Sequence, residues 1–90
     1  MNEIIDQQRN RIDEVDKLLI DLLSERFDAA RIIGMQKQLN GIHVLDKLRE
    51  SEVLDDRASY AESKRIDPGF VRRLVQMIMD ESKSIQNQSA

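Results

Sequence analysis

The chain has 90 residues, with 14 Lys and Arg against 17 Asp and Glu, a net charge of −3, 40% apolar residues and 34% charged ones. That length suits one domain, residues 1–90, above the disordered range of composition, and the acidic balance gives no bulk attraction to nucleic acid or to an anionic membrane. With no Cys and a single His, a disulfide framework, a thiol nucleophile and Cys- or His-cluster metal sites drop out, and no apolar run approaches the roughly 18 residues of a membrane span.

With three Gly and one Pro, the chain reads as nearly all helix. The N-terminus lacks the pattern of a signal peptide, so a cytoplasmic, soluble, cofactor-free protein is the starting expectation. The first predicted helix runs from about residue 3 to 39. Ile5, Ile12, Val15, Leu19, Leu22, Leu23, Ala30 and Ile33 recur at helical spacing. A helix of roughly 36 residues is about 54 Å long, whereas a compact chain of this size has a radius of gyration near 12 Å. Such a helix cannot bury its apolar stripe within its own chain, so an oligomer is expected.

Asn40-Gly41-Ile42-His43 punctuates the pattern as a loop. A second helix is predicted from about Asp46 or Lys47 to Ser63, with Leu48, Val53 or Leu54, Ala58 and Ala61 as a weaker apolar face. Asp67-Pro68 is a strong helix start, an Asp cap with Pro in the first helical position. The third helix is expected to reach about Gln86, with Phe70, Val71, Leu74, Ile78 and Ile85 facing inward and Asn87 to Ala90 as a polar end. Met35, Met77 and Met79 read as packing residues, and His43 and Lys83 as surface residues.

The informative feature is charge on the apolar stripe. Ile5, Ile12, Leu19 and Ile33 belong to a seven-residue series whose remaining member is Arg26. A second series reads Arg9, Asp16, Leu23, Ala30, Lys37. Arg26 and Lys37, eleven residues apart, differ by only about 20° around a helix. Either this face meets an anion, or the cations pair across helices or reach out to water. Arg9 lies about 26 Å along the axis from Arg26, so one small ligand cannot touch both within one chain. It could touch both if the long helices of two chains ran antiparallel. On the second helix, Asp46, Arg49 and Glu50 stand at i, i+3, i+4 and share a face. On the third, Ser82 and Gln86 continue the stripe that contains Ile78.

Taken together, the stretches Arg9-x-x-Ile12-Asp13-x-x-Asp16-x-x-Leu19-x-x-Leu22-Leu23-x-Glu25-Arg26, Ile33-Gly34-x-x-Lys37, Val44-x-Asp46-x-x-Arg49-Glu50, Asp67-Pro68-x-Phe70-Val71 and Ser82-x-x-x-Gln86 resemble the all-helical chorismate mutase family over almost the whole chain. The resemblance implies an all-α fold of three helices per chain, intertwined as a homodimer with two equivalent sites. It implies the Claisen rearrangement of chorismate to prephenate, on the route to phenylalanine and tyrosine, with no metal or cofactor.

It also implies roles. Arg26, with Arg9 from the other chain, would clamp the two carboxylates, a task suited to guanidinium geometry. Lys37 and Gln86 would donate to the ether oxygen. Glu50 and the backbone N–H of Asp46 would bind the ring hydroxyl. Ser82 would assist a carboxylate, Arg49 would complete the polar surround, and Ile33, Val53 and Met79 would wall the ring. Two other readings stand beside this one: an isochorismate–pyruvate lyase on the same scaffold, and a non-catalytic helical dimerisation module whose polar stripe residues fix register.

Overall fold

The structure, a computed structural model, describes residues 2–88 and contains three helices. Helix α1 spans Glu3–Leu39, α2 Lys47–Ser63 and α3 Pro68–Gln88. Each start is capped by a side chain, which satisfies amide donors that the first turn leaves unpaired. The Asn2 side chain accepts from the N–H groups of Ile4 and Ile5. Asp46 accepts from Arg49, and Asp67 from Phe70. Helix α3 continues past Gln86 to Gln88, so Asn87 is helical; Ser89 and Ala90 of the expected polar end lie outside the described residues.

Helix α3 is the central element and packs on both α1 and α2, whose backbones do not approach each other closely. The buried residues are few: Ala30 and Gly34 from α1, Val53, Ala58 and Ala61 from α2, and Met79, Ser82 and Ile85 from α3. All of α1's buried residues come from its C-terminal part. Its N-terminal half projects beyond the other two helices, and Ile5, Ile12, Val15, Leu19 and Leu22 are exposed. The radius of gyration is 16.7 Å and the extents are 59 × 24 × 14 Å. The chain is thus far longer and thinner than a compact fold of its size.

Several residues expected inside lie outside in this chain. Leu48 is 72% and Met77 70% exposed, and Met35, Phe70 and Leu74 also keep much of their surface in solvent; of the three central methionines only Met79 is buried. The periodic pattern marks an apolar face but does not say what lies against it.

Candidate active site

Where the C-terminal half of α1 passes over α2 and α3, the described residues line a half-open cavity of about 440 Å³. Helix α1 lines it with Arg26, Ala29, Ala30, Ile33 and Lys37. The 40–46 link supplies Val44 and Asp46, and α2 supplies Arg49, Glu50, Val53 and Arg57. Helix α3 contributes Met79, Ser82, Lys83 and Gln86. All the residues that sequence reasoning placed in a site are therefore gathered here, Arg9 excepted. Arg9 lies on the exposed projecting half of α1 and does not line the cavity.

Five basic side chains meet two carboxylates in this cavity, although the chain as a whole is acidic. Such a concentration of like charge in a partly desolvated hollow is unfavourable unless an anion enters. Arg26 shows the effect directly. Burial, and then the neighbouring Arg57 and Arg49 guanidiniums, push its pKa below the ordinary arginine value, though a guanidinium remains a cation at any ordinary pH.

Three contacts fix the site's donors. The Arg26 guanidinium donates to Ser82 Oγ at 2.6 Å, and Ser82 in turn donates to the carbonyl of Ile78 at 2.9 Å. The Ser82 proton is committed to its own helix, so the hydroxyl acts here by holding Arg26 in place. Lys37 Nζ donates to the Val44 carbonyl at 3.0 Å, tying the end of α1 to the link that follows it. Gln86 also lines the cavity, and its Oε1 is buried without a hydrogen-bond partner among the described residues. A buried amide oxygen left unpaired costs about 1–3 kcal/mol, so the acceptor end of Gln86 is a polar atom that the chain by itself leaves unsatisfied among the described residues.

Gly34 explains how Gln86 comes so close to α1. A Cβ on Gly34 would meet Gln86 Cα at 2.8 Å and Gln86 Cβ at 3.0 Å. The two helix backbones approach at this point because α1 carries no side chain there.

Two charged lining residues were missed by sequence reasoning. Arg57 continues the face of Asp46, Glu50 and Val53 by one further turn. Lys83, expected at the surface, is half-buried in the cavity wall, with Nζ 3.2 Å from Glu50 Oε2 and 3.3 Å from Oε1. The contacts to Glu50, and a weaker one to Asp80, raise the Lys83 pKa above 10.5 against the opposing effect of burial. The signal was present: Met79, Ser82, Lys83 and Gln86 stand at i, i+3, i+4, i+7 and form one helical face.

The sequence profile of the family described as chorismate mutase type II matches residues 8–87. The chain belongs to the type II chorismate mutase family. It is 32% identical over 79 residues to the T-protein of Enterobacter agglomerans, covering 88% of this chain and 21% of that protein. It is 31% identical over 84 residues to the 4-amino-4-deoxychorismate mutase of Streptomyces pristinaespiralis, covering 93% and 65% of the two chains. It is 26% identical over 88 residues to the chorismate mutase of Methanocaldococcus jannaschii, covering 98% of this chain and 89% of that one. The chain thus spans about a fifth of the T-protein and just under two thirds of the Streptomyces protein, and nearly all of the archaeal mutase. The matched segment begins before Arg9 and ends after Gln86, so it contains both the cavity and the projecting half of α1. No described helix is long and apolar enough to cross a membrane.

Proposed function

We propose that this chain is a chorismate mutase of aromatic amino acid biosynthesis, converting chorismate to prephenate in a site shared between two copies of the chain. The observation that carries the reading is the single cavity wall in which Arg26, Lys37, Arg49, Glu50, Ser82 and Gln86 converge, within a chain of this family.

The chemistry asks little of the protein in the way of covalent groups. The ether C–O bond of the substrate breaks as a C–C bond forms between the enolpyruvyl methylene and the ring, within one molecule and without proton transfer. The protein must hold a flexible dianion in a folded conformer and stabilise the negative charge that develops on the ether oxygen. The first task is positioning and the second is preorganised electrostatics. Arg26, fixed by Ser82, clamps one carboxylate. Lys37 and Gln86 serve as donors to the ether oxygen, and Glu50 accepts from the ring hydroxyl. Asp46 offers its backbone N–H beside it, and Arg49 closes the polar surround. Ile33, Val53 and Met79 form the apolar wall.

The second carboxylate is assigned to Arg9 of another copy. The exposed apolar stripe of α1 supports this, because Ile5, Ile12 and Leu19 have no cover in their own chain and an antiparallel partner helix would supply it. A twofold arrangement of this kind is isologous and creates two equal sites.

The test is to mix the purified chain with chorismate, follow the loss of its ultraviolet absorbance and identify the product by mass. Prephenate formation by the wild type, with a loss of about 10² to 10³ or more in kcat for Lys37→Ala as a folded dimer, is the expected result. A well-folded chain that leaves chorismate unchanged refutes the reading; release of pyruvate from isochorismate would then identify the lyase instead. The name of the Streptomyces relative raises a second substrate, the 4-amino counterpart of chorismate.

A further inference from the structure

We infer that Lys83 is a specificity-determining residue, making the cavity select a ring hydroxyl over a ring amine. The inference rests on the mutase reading above and concerns which ring substituent that site accepts.

The cavity has two carboxylates. Asp46 is exposed and caps α2, its Oδ1 accepting from the Arg49 N–H, whereas Glu50 is half-buried in the cavity wall. Glu50 is therefore the side chain best placed to read a donor on the ring. It is the less exposed member of its ion pair, with its side chain 20% accessible, and Lys83 Nζ lies within 3.3 Å of both of its oxygens. Lys83 also reaches Asp80 Oδ1 at 3.4 Å, but that carboxylate is 61% exposed and lies outside the cavity lining. The charge Lys83 neutralises inside the cavity is that of Glu50.

A neutral hydroxyl entering beside Glu50 adds one hydrogen bond to a carboxylate that has lone pairs to spare. It requires no charge from Glu50 and is indifferent to Lys83. An alkylamine at the same place is largely an ammonium at neutral pH. It would share one carboxylate with a second ammonium only a few ångströms away, in a cavity that already holds Arg26, Arg49 and Arg57. Like charges at that range disfavour the amine by roughly ten- to a hundredfold. With Lys83 absent, Glu50 would offer an uncompensated negative charge, which suits an amine.

The experiment compares kcat/KM for chorismate and for 4-amino-4-deoxychorismate in the wild type, Lys83→Met and Lys83→Arg, with helix content and assembly state checked for each. Lys83→Met is expected to shift the ratio toward the amine by about tenfold or more, and Lys83→Arg, which keeps the charge, to retain the wild-type ratio within about threefold. A merely structural role for Lys83 would lower both substrates together and leave the ratio fixed. Lys83→Gln, which removes the charge but keeps a polar side chain of similar reach, is expected to shift the ratio in the same direction and serves if Lys83→Met fails to fold. An unmoved ratio in an active Lys83→Met, or equal shifts in the Met and Arg variants, overturns the inference alone. A wild type inactive on both substrates overturns the mutase reading and this inference with it.

Discussion

Gly34 of α1 lies so close to Gln86 of α3 that a single added Cβ would reach 2.8 Å from the Gln86 backbone. The obstruction is main chain, which cannot swing aside as a flexible side chain would, so α1 and α3 must separate to admit it. Gly34→Ala should therefore move the donor face of α3 away from Lys37. Two effects oppose each other in stability, since Ala favours a helix interior by about 1 kcal/mol over Gly and overpacking costs about 1–3 kcal/mol. The expected outcome is a chain that remains helical by circular dichroism and loses more than about tenfold in kcat. Wild-type kcat in Gly34→Ala would show that the close approach has no catalytic role.

Ser82 should behave as a residue that acts through Arg26. Its hydroxyl accepts from Arg26 and donates to Ile78 within its own helix. Ser82→Ala leaves a partly buried guanidinium without its partner, at a cost of about 1 kcal/mol in stability by denaturant unfolding. Because Arg26 is expected to bind a substrate carboxylate, KM should rise more than kcat falls. An unchanged KM in the alanine variant would separate Ser82 from substrate binding.

Gln86 carries a prediction about pH. An amide donates a hydrogen bond at any ordinary pH, whereas a carboxyl group donates only when protonated. Wild-type kcat should show no loss traceable to this position between about pH 5 and 8. Gln86→Glu should introduce an acidic optimum, with activity falling as the new carboxyl ionises. A steep decline of the wild type across that interval would contradict the role given to Gln86.

The shared site makes a quantitative prediction. If Arg9 and Lys37 of different chains complete each site, Arg9→Ala and Lys37→Ala are each nearly inactive alone. Mixed at equal concentration and allowed to exchange subunits, half the dimers are hybrids with one intact site each, so turnover should return to about a quarter of wild type. A mixture no more active than its components, with exchange confirmed by mass, would place Arg9 and Lys37 in the same chain's site or Arg9 outside it.

Much of this architecture was legible in the sequence because helical punctuation is local. Gly41, with φ of 65°, ends the pattern of α1, and Asp67-Pro68 opens α3 where the residue types require. The convergence of Arg26 with Lys37 followed from helix geometry alone, and the exposed stripe of α1 from length arithmetic. Lys83 and Arg57 were not read because a charged residue beside other polar ones, Ser82 and Ser84 in one case and Asp56 in the other, carries no signal until its own face is drawn out turn by turn. The role of Gly34 was hidden for a different reason. A glycine in a helix reads as a weak point, and only the neighbouring backbone reveals that it is a point of contact. Leu48, Met35 and Met77 mark the remaining limit, since periodicity shows that a face is apolar but not what lies against it.

The uninterrupted course of α1 from Glu3 to Leu39 also governs how this chain can change in length. Between Arg9 and Arg26 the helix works as a ruler, each residue advancing about 1.5 Å and turning 100°. Deleting one residue there would swing the whole N-terminal arm to a different side of the molecule, where a loop would have absorbed the loss. The 40–46 link offers no slack either, since Val44 and Asp46 stand in the cavity wall. The 64–67 link is no looser: the N–H groups of Lys64, Arg65 and Ile66 all bond back to the last turn of α2, Asp67 caps α3, and both helices line the cavity, so a change of length at any of these places is expected to move the site out of register.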